Sequence, residues 1–325
     1  MITLYGASGG HLEKLDWTPG APLPDGTVWI DLLRPAPEEE EAVERALALD
    51  LPTRARLQEI EMSSRLHQTG RTRYMAATVM SRAEQEHPEA EAIAFVVQAP
   101  VLVTLRYSEP LVFTHFALRA MRQKGLAEGG GASVFAGLLE AIVDRAADVL
   151  EQVTGDLDRL SREVFRMRTG NAGPAVDLED AVRRLGLYED RTTKVQDSLA
   201  SIIRVLSFYS AVIEGEVRED YLARLKVISR DARSIMEHAS SLAMKGNFLL
   251  DATLGLINVE QTKIIKIFSV AAVVFLPPTL IASIYGMNFK ILPELDLGFG
   301  YPMALVMMVV SAVLPYLYFK RKGWL

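Results

Sequence analysis

Cysteine is absent from the 325 residues. That excludes disulfides, thiolate metal sites and a cysteine nucleophile, and it fits a reducing compartment. Histidine is scarce. The five present (His11, His67, His87, His115, His238) show no ligand spacing, so no imidazole metal cluster is expected. The opening "MITLYGASGGHLEKL" lacks a basic segment followed by an apolar run, so it does not read as a secretory signal. "GASGG" (6–10) lacks the Lys-Ser/Thr pair of a phosphate loop and reads as a turn. No Ser/His/Asp elbow or catalytic carboxylate pair stands out, so neither an enzyme nor a resident cofactor is expected.

Positive charge is also short, except at one end. The chain carries net −6. From Lys263 onward there are six basic and two acidic residues, a net +4, so the first 262 residues carry −10. An acidic soluble part argues against nucleic acid, whose phosphates need a basic face. It is compatible with cations. "AEQEHPEAE" (83–91) is an acidic run that reads as a solvated loop.

What is present in quantity is apolar sequence near the C-terminus. Residues 264–285, "IIKIFSVAAVVFLPPTLIASIY", hold a single charge, Lys266. Residues 301–319, "YPMALVMMVVSAVLPYLYF", hold none. Each is long enough to cross a bilayer core as a helix, which takes about 20 residues. Lys263 and Lys266 flank the start of the first span, and Lys320, Arg321 and Lys322 follow the second. By the positive-inside rule both ends face the cytoplasm and the loop 286–300 faces outside. Tyr285, Tyr301, Tyr316, Tyr318 and Trp324 suit the two interfaces. The expected location is the cell (inner) membrane, with both termini and the large N-terminal part in the cytoplasm.

The soluble part divides in two. Residues 1–130 read as an α/β domain. The segments 27–33, 71–80, 91–98 and 101–108 are rich in β-branched and aromatic residues. The segments 35–49, 53–61 and 109–125 have helical character. "EGGGAS" (128–133) reads as a hinge. Residues 131–262 read as helical, and 263–325 as the membrane hairpin with a basic tail, 320–325. No proline occurs in the 102 residues from Ala175 to Leu276. Gly215 is the best candidate for a turn between antiparallel helices. A last helix would then run from Glu219 to Tyr285, about 100 Å at 1.5 Å per residue. A helix of that length needs partners, so it implies a bundle or an oligomer.

Steps of four and three along that helix give Asp251, Gly255, Asn258, Thr262, Ile265, Ser269, Ala272, Leu276, Thr279 and Ser283. Most are small or polar. A helix lining water needs such a stripe and a lipid-facing one does not. Close packing of helices through small residues is the competing reading. Pro277 and Pro278 interrupt the stripe, and the carbonyls of Val273 and Val274 lose their helical donors there. Two spans cannot enclose a channel, but several copies would turn each stripe residue into a ring.

"YGMNF" followed by "PEL", a second span and "YFKRKGWL" resembles the CorA-type magnesium transporters. "QTKIIKIFSVAAVVFLPPTLIASIYGMNF", "GFGYP", "LPTRARLQEIEMSSRL" (51–66) and "FLLDATLGLINVEQ" (248–261) extend the resemblance. It implies a funnel-shaped homopentamer: a cytoplasmic α/β domain, a long stalk helix running into the pore-lining first span, and an outer ring of second spans. Gly286, Met287 and Asn288 would form the external mouth, with Asn288 binding the hydrated ion. Leu276 and Thr279 would line the pore and Asp251 its inner mouth. Thr262 stands where the family has a pore asparagine. The family senses internal magnesium through acidic residues. Val227 falls near one such position, and Asp220 or Asp231 are the substitutes. Glu294 and Asp296 would gather cations outside. The cargo implied is Mg2+, with Co2+ or Ni2+ also admitted. Zinc transport by a sister branch and a membrane-anchored helical scaffold are the alternatives.

Overall fold

The computed structural model describes residues 1–59, 65–82, 88–126, 128–166, 177–288 and 298–323. It divides into two compact units, Met1–Leu250 and Asp251–Leu325.

The first unit is built on a sheet of seven strands among the described residues. They are β1 (Ile2–Ser8), β2 (His11–Leu15), β3 (Thr27–Leu33), β4 (Leu66–Thr69), β5 (Thr72–Ser81), β6 (Glu89–Gln98) and β7 (Val101–Arg106), in the spatial order β2-β1-β3-β7-β6-β5-β4. Only β3 and β7 pair in parallel. β3 and β7 are central and buried along almost their whole length, which is why both read as unbroken runs rather than alternating ones. β1, β2 and β4 carry weaker patterns and were not expected. Of "GASGG", expected as a turn, Gly6, Ala7 and Ser8 belong to β1 and only Gly9 (φ 58°) and Gly10 (φ 85°) make the turn to β2.

Each face of the sheet is covered. Ile30, Leu32, Val96, Val103 and Leu105 point to one side and pack with Val43 of α1 (Pro37–Leu47) and Leu57 of α2 (Arg54–Gln58). α2 is shorter than the segment 53–61 suggested. The next residues of the sequence, 60–64, lie outside the described residues. Trp29 and Phe95 point to the other side. They meet Phe113 and Phe116 of α3 (Leu111–Arg122) and Phe135 of α4 (Gly130–Arg166), with ring centroids 5.6–6.5 Å apart.

The glycine run expected to act as a hinge is a packed joint instead. Gly131 donates its N–H to Pro100 O at 2.7 Å. A Cβ there would lie 2.4 Å from the backbone nitrogen of Leu102. Glycine lets the start of α4 rest directly on the β6–β7 turn.

From there the unit is helical. α4 buries Phe135, Leu139, Ile142, Ala146, Val149, Val153, Leu157, Leu160 and Val164, a three-four spacing. α5 (Leu178–Val212) packs against it, with Asp177 capping the N–H groups of Glu179 and Asp180. α6 (Glu219–Tyr285) follows a turn at Gly215, φ 82°. Side chains link α4 to α6 at Glu140–Arg224 (2.6 Å), at Asp158–Lys245 and at Phe165–Phe248 (centroids 6.4 Å). The contact positions rise together along both helices, so α4 and α6 run parallel.

The second unit holds the rest of α6, up to Tyr285, and α7 (Gly300–Arg321). Both contain stretches long and apolar enough to cross a membrane. α7 extends slightly beyond the expected 301–319 at each end. Most of their large side chains are exposed, among them Phe268 (71%), Phe275 (69%) and Tyr301 (77%). Such surface is stable in lipid and costly in water.

Candidate functional site

The stripe residues occupy one side of α6. Asp251, Gly255, Asn258, Thr262, Ile265, Ser269, Ala272, Leu276, Thr279 and Ser283 are all exposed. Covered positions within the span 264–285 are Val270, which is 4% exposed, and the half-buried Ala271, Val274, Pro277, Pro278, Ile281 and Tyr285. At 100° per residue these two sets lie on opposite sides of the helix. α7 has its own covered side: Gly300 and Ala304 are buried, and Met303, Met308, Ser311, Ala312, Pro315 and Phe319 half-buried. The second unit has no other described element, so each covered side is turned to the other helix. The polar stripe therefore points away from α7.

The hydroxyls on the stripe are oriented. Thr279 Oγ1 donates to Phe275 O at 2.8 Å, and Thr262 Oγ1 donates to Asn258 O at 2.7 Å. With its proton committed to a carbonyl one turn back, each hydroxyl oxygen presents lone pairs outward. A hydrated cation directs water hydrogens outward, so acceptors are what it needs.

At the end of α6 the helix closes over the Gly-Met-Asn triplet. Gly286 N donates to Ala282 O at 2.9 Å, and Met287 N to Ile284 O at 3.3 Å. A Cβ on Gly286 would lie 3.1 Å from Ala282 O, so a side chain there would crowd the last turn. Met287 is 49% exposed, and Asn288 is exposed without a hydrogen-bond partner among the described residues. Glu294, Asp296 and Trp324 lie outside the described residues.

Asp220 and Asp231 do not form a site together in one chain. They are three turns apart on α6, about 16 Å by helical rise. Arg218 pairs with Asp220 at 2.9 Å and Arg230 with Asp231 at 3.5 Å. Among the described residues no three His, Asp or Glu side chains are placed to share a metal ion. Asp231 instead lies within electrostatic reach of Asp144 on α4. Burial raises the pKa of Asp144, Glu140 raises it further, Arg119 opposes, and Asp148 and Asp231 add to the rise. The spacing Glu140, Asp144, Asp148 places all three on one side of α4, a signal legible in the sequence but not singled out.

A second feature had no sequence signal. Asp31 on β3 is fully buried and accepts from Arg106 Nε (3.0 Å), Arg106 Nη2 (2.7 Å) and Thr104 Oγ1 (2.7 Å) of β7. Trp29 Nε1 in turn donates to Thr104 Oγ1 at 2.9 Å. Both Asp31 oxygens are answered across the parallel pair and Arg106 Nη1 donates to Ser108 O at 3.1 Å, which marks the cluster as structural.

An α/β domain, a long helical stalk and two apolar helices at the C-terminal end define a membrane protein with a large extramembrane part. The family model described as "CorA-like Mg2+ transporter protein" matches residues 24–321. "Magnesium transport protein CorA" of Pasteurella multocida (strain Pm70) is 38% identical over 325 residues, covering 100% of both chains. The protein of the same name from Escherichia coli (strain K12) is 36% identical over the same length and coverage. The solved structure "The complete structure of CorA magnesium transporter from Methanocaldococcus jannaschii" superposes with a TM-score of 0.77 at 17% identity, covering 100% of this chain and 99% of that one. The chain belongs to the CorA-like Mg2+ transporter family. That is a family of membrane transporters, not of enzymes, and the two apolar helices are its membrane-spanning segments.

Proposed function

We propose that this protein is a channel-like importer of magnesium, with cobalt and nickel as further cargo, driven by the membrane potential. Both termini lie in the cytoplasm and the Gly-Met-Asn triplet faces outside. The observation that carries the reading is the polar stripe on the side of α6 opposite α7. In a ring of five copies that side would surround water while α7 faces lipid.

Asn288 would then form a ring of amide oxygens at the outer mouth. Magnesium sheds water reluctantly and usually keeps several waters when bound. Neutral amides can accept hydrogen bonds from that shell without trapping the ion, whereas bare carboxylates would bind more tightly and release more slowly. Gly286 and Met287 shape the turn that presents Asn288. Further in, Thr279 and Thr262 offer acceptor oxygens, Ser283 and Ser269 further hydroxyls, and Leu276, Ala272 and Ile265 narrow the path. Asn258, Gly255 and Asp251 continue it to the inner end. Glu294 and Asp296 would raise the local cation concentration by their field. Asp220 and Asp231 are the candidates for sensing internal magnesium. The driving force is about 2.3 kcal/mol per charge per 100 mV, twice that for a divalent ion.

The test is uptake into proteoliposomes under an imposed potential, comparing magnesium, zinc and cobalt. Asn288→Ala is expected to abolish magnesium uptake while leaving the oligomer assembled. Unchanged uptake would remove Asn288 from the mouth, and preference for zinc, or uptake that follows a proton gradient, would replace the cargo or the driving force.

A further inference from the structure

The described basic residues of the second unit avoid the stripe. Lys263 and Lys266 lie seven and four residues before the buried Val270, so they sit on its side of α6, toward α7. Lys322 follows Ala304 by five helical turns and so continues the side of α7 that faces α6. Arg321 adjoins it, whereas Lys320, 16 residues after Ala304, falls on the far side of α7. Counting from the ends that bound their shared loop, Lys266 is 19 residues before Tyr285 and Phe319 is 19 residues after Gly300. With both ends inside, the two helices run antiparallel with equal rise, so the two sets of charges stand at one depth.

All five cations are exposed. None makes a salt bridge among the described residues. Lys322 Nζ sits 5.6 Å from the centroid of the Tyr318 ring, and Tyr316 and Tyr318 are 43% and 56% exposed at that level. Tyrosine rings of this kind occupy the headgroup region. Lys263, Lys266, Arg321 and Lys322, without a salt bridge among the described residues and beside interfacial rings, match the charge and depth of a lipid phosphate.

We propose that the cytoplasmic end of the helix pair binds the headgroup of an anionic phospholipid, held by Lys263 and Lys266 from α6 and by Arg321 and Lys322 from α7. Basic pockets between helices at this face suit such headgroups. The bound phosphate offsets positive charge that would otherwise repel a divalent ion leaving the inner mouth. The inference rests on the proposed orientation, with both ends inside.

The test uses the full-length protein in vesicles of phosphatidylcholine with or without phosphatidylglycerol, followed by extraction and mass spectrometry of the retained lipid. The wild type is expected to retain phosphatidylglycerol over phosphatidylcholine. The double variant Lys263→Gln/Lys266→Gln should lose that preference by roughly 25-fold, about five-fold per lysine. Lys263→Arg/Lys266→Arg should keep it, which separates lost charge from lost folding. Millimolar inorganic phosphate should not displace the lipid. Equal retention of the two lipids by the wild type, an undiminished preference in the glutamine variant, or displacement by inorganic phosphate would each overturn the proposal. Magnesium uptake in the same vesicles distinguishes the two readings. Selective lipid retention without uptake in either composition counts against the transport reading and leaves the headgroup site standing. Uptake without lipid preference does the reverse.

Discussion

Tyr221 shows what one residue does at the start of the long helix. Its hydroxyl donates to Ala132 O at 2.8 Å and so ties the first turn of α6 to the first turn of α4. Burial raises its pKa well above the usual tyrosine range, and neighbouring Tyr209 adds to the rise. The neutral form is therefore the one that folding favours. Its contribution is fully present below about pH 10, where the unfolded tyrosine ionises, and is lost as pH rises toward the folded value. Tyr221→Phe should cost about 1 kcal/mol at neutral pH through the lost hydrogen bond. It should also flatten the fall of Tm between about pH 9 and 11. Thermal unfolding of the two proteins across that range checks this, and parallel curves would refute it. At this scale the sequence was legible where chemistry is local. Asn288 and the stripe hydroxyls could be named from spacing, whereas the pairing of Asp31 with Arg106 joins residues far apart in the chain and exists only because β3 and β7 are parallel neighbours.

Among the elements, α4 and α6 decide the architecture. The start of α6 at Glu219 followed from the glycine turn at Gly215, and its end at Tyr285 from the apolar span 264–285. Pro277 and Pro278 lie inside it without ending it. A breaker within a span is tolerated where neighbours cover it, and both prolines are half-buried on the side toward α7. The glycine run before α4 was misread because a flexible joint and a close backbone contact use the same residue. Gly131→Ala is the discriminating change. Its methyl would meet the backbone of Val101 and Leu102, which cannot give way as a side chain can. The expected cost is about 3 kcal/mol, the upper end for overpacking, measured as a lower midpoint of chemical or thermal unfolding. A loss within experimental error would restore the hinge reading.

For the whole molecule, the exposed stripe is the argument for an assembly. Facing lipid, the hydroxyls of Ser269 and Ser283 and the outward lone pairs of Thr279 would be left unanswered in hydrocarbon. Met244 and Phe248, 67% and 62% exposed, are large apolar groups on α6 before the span that a neighbouring copy would cover. Mass measurement in detergent is expected to give five chains of 36.0 kDa. A stable monomer or dimer would remove the ring and with it the Asn288 mouth.

The sequence by itself determined the membrane segments, the long helix, the Gly-Met-Asn turn and the family. Each rests on periodicity, charge flanks or a contiguous motif, and those are properties of neighbours in the chain. Only the tertiary structure decided the side of α6 that packs toward α7, the side left open, the three weakly patterned strands and the buried Asp31–Arg106 pair. Those depend on which distant surfaces meet, and burial against a partner is a fact of three dimensions that no local pattern encodes.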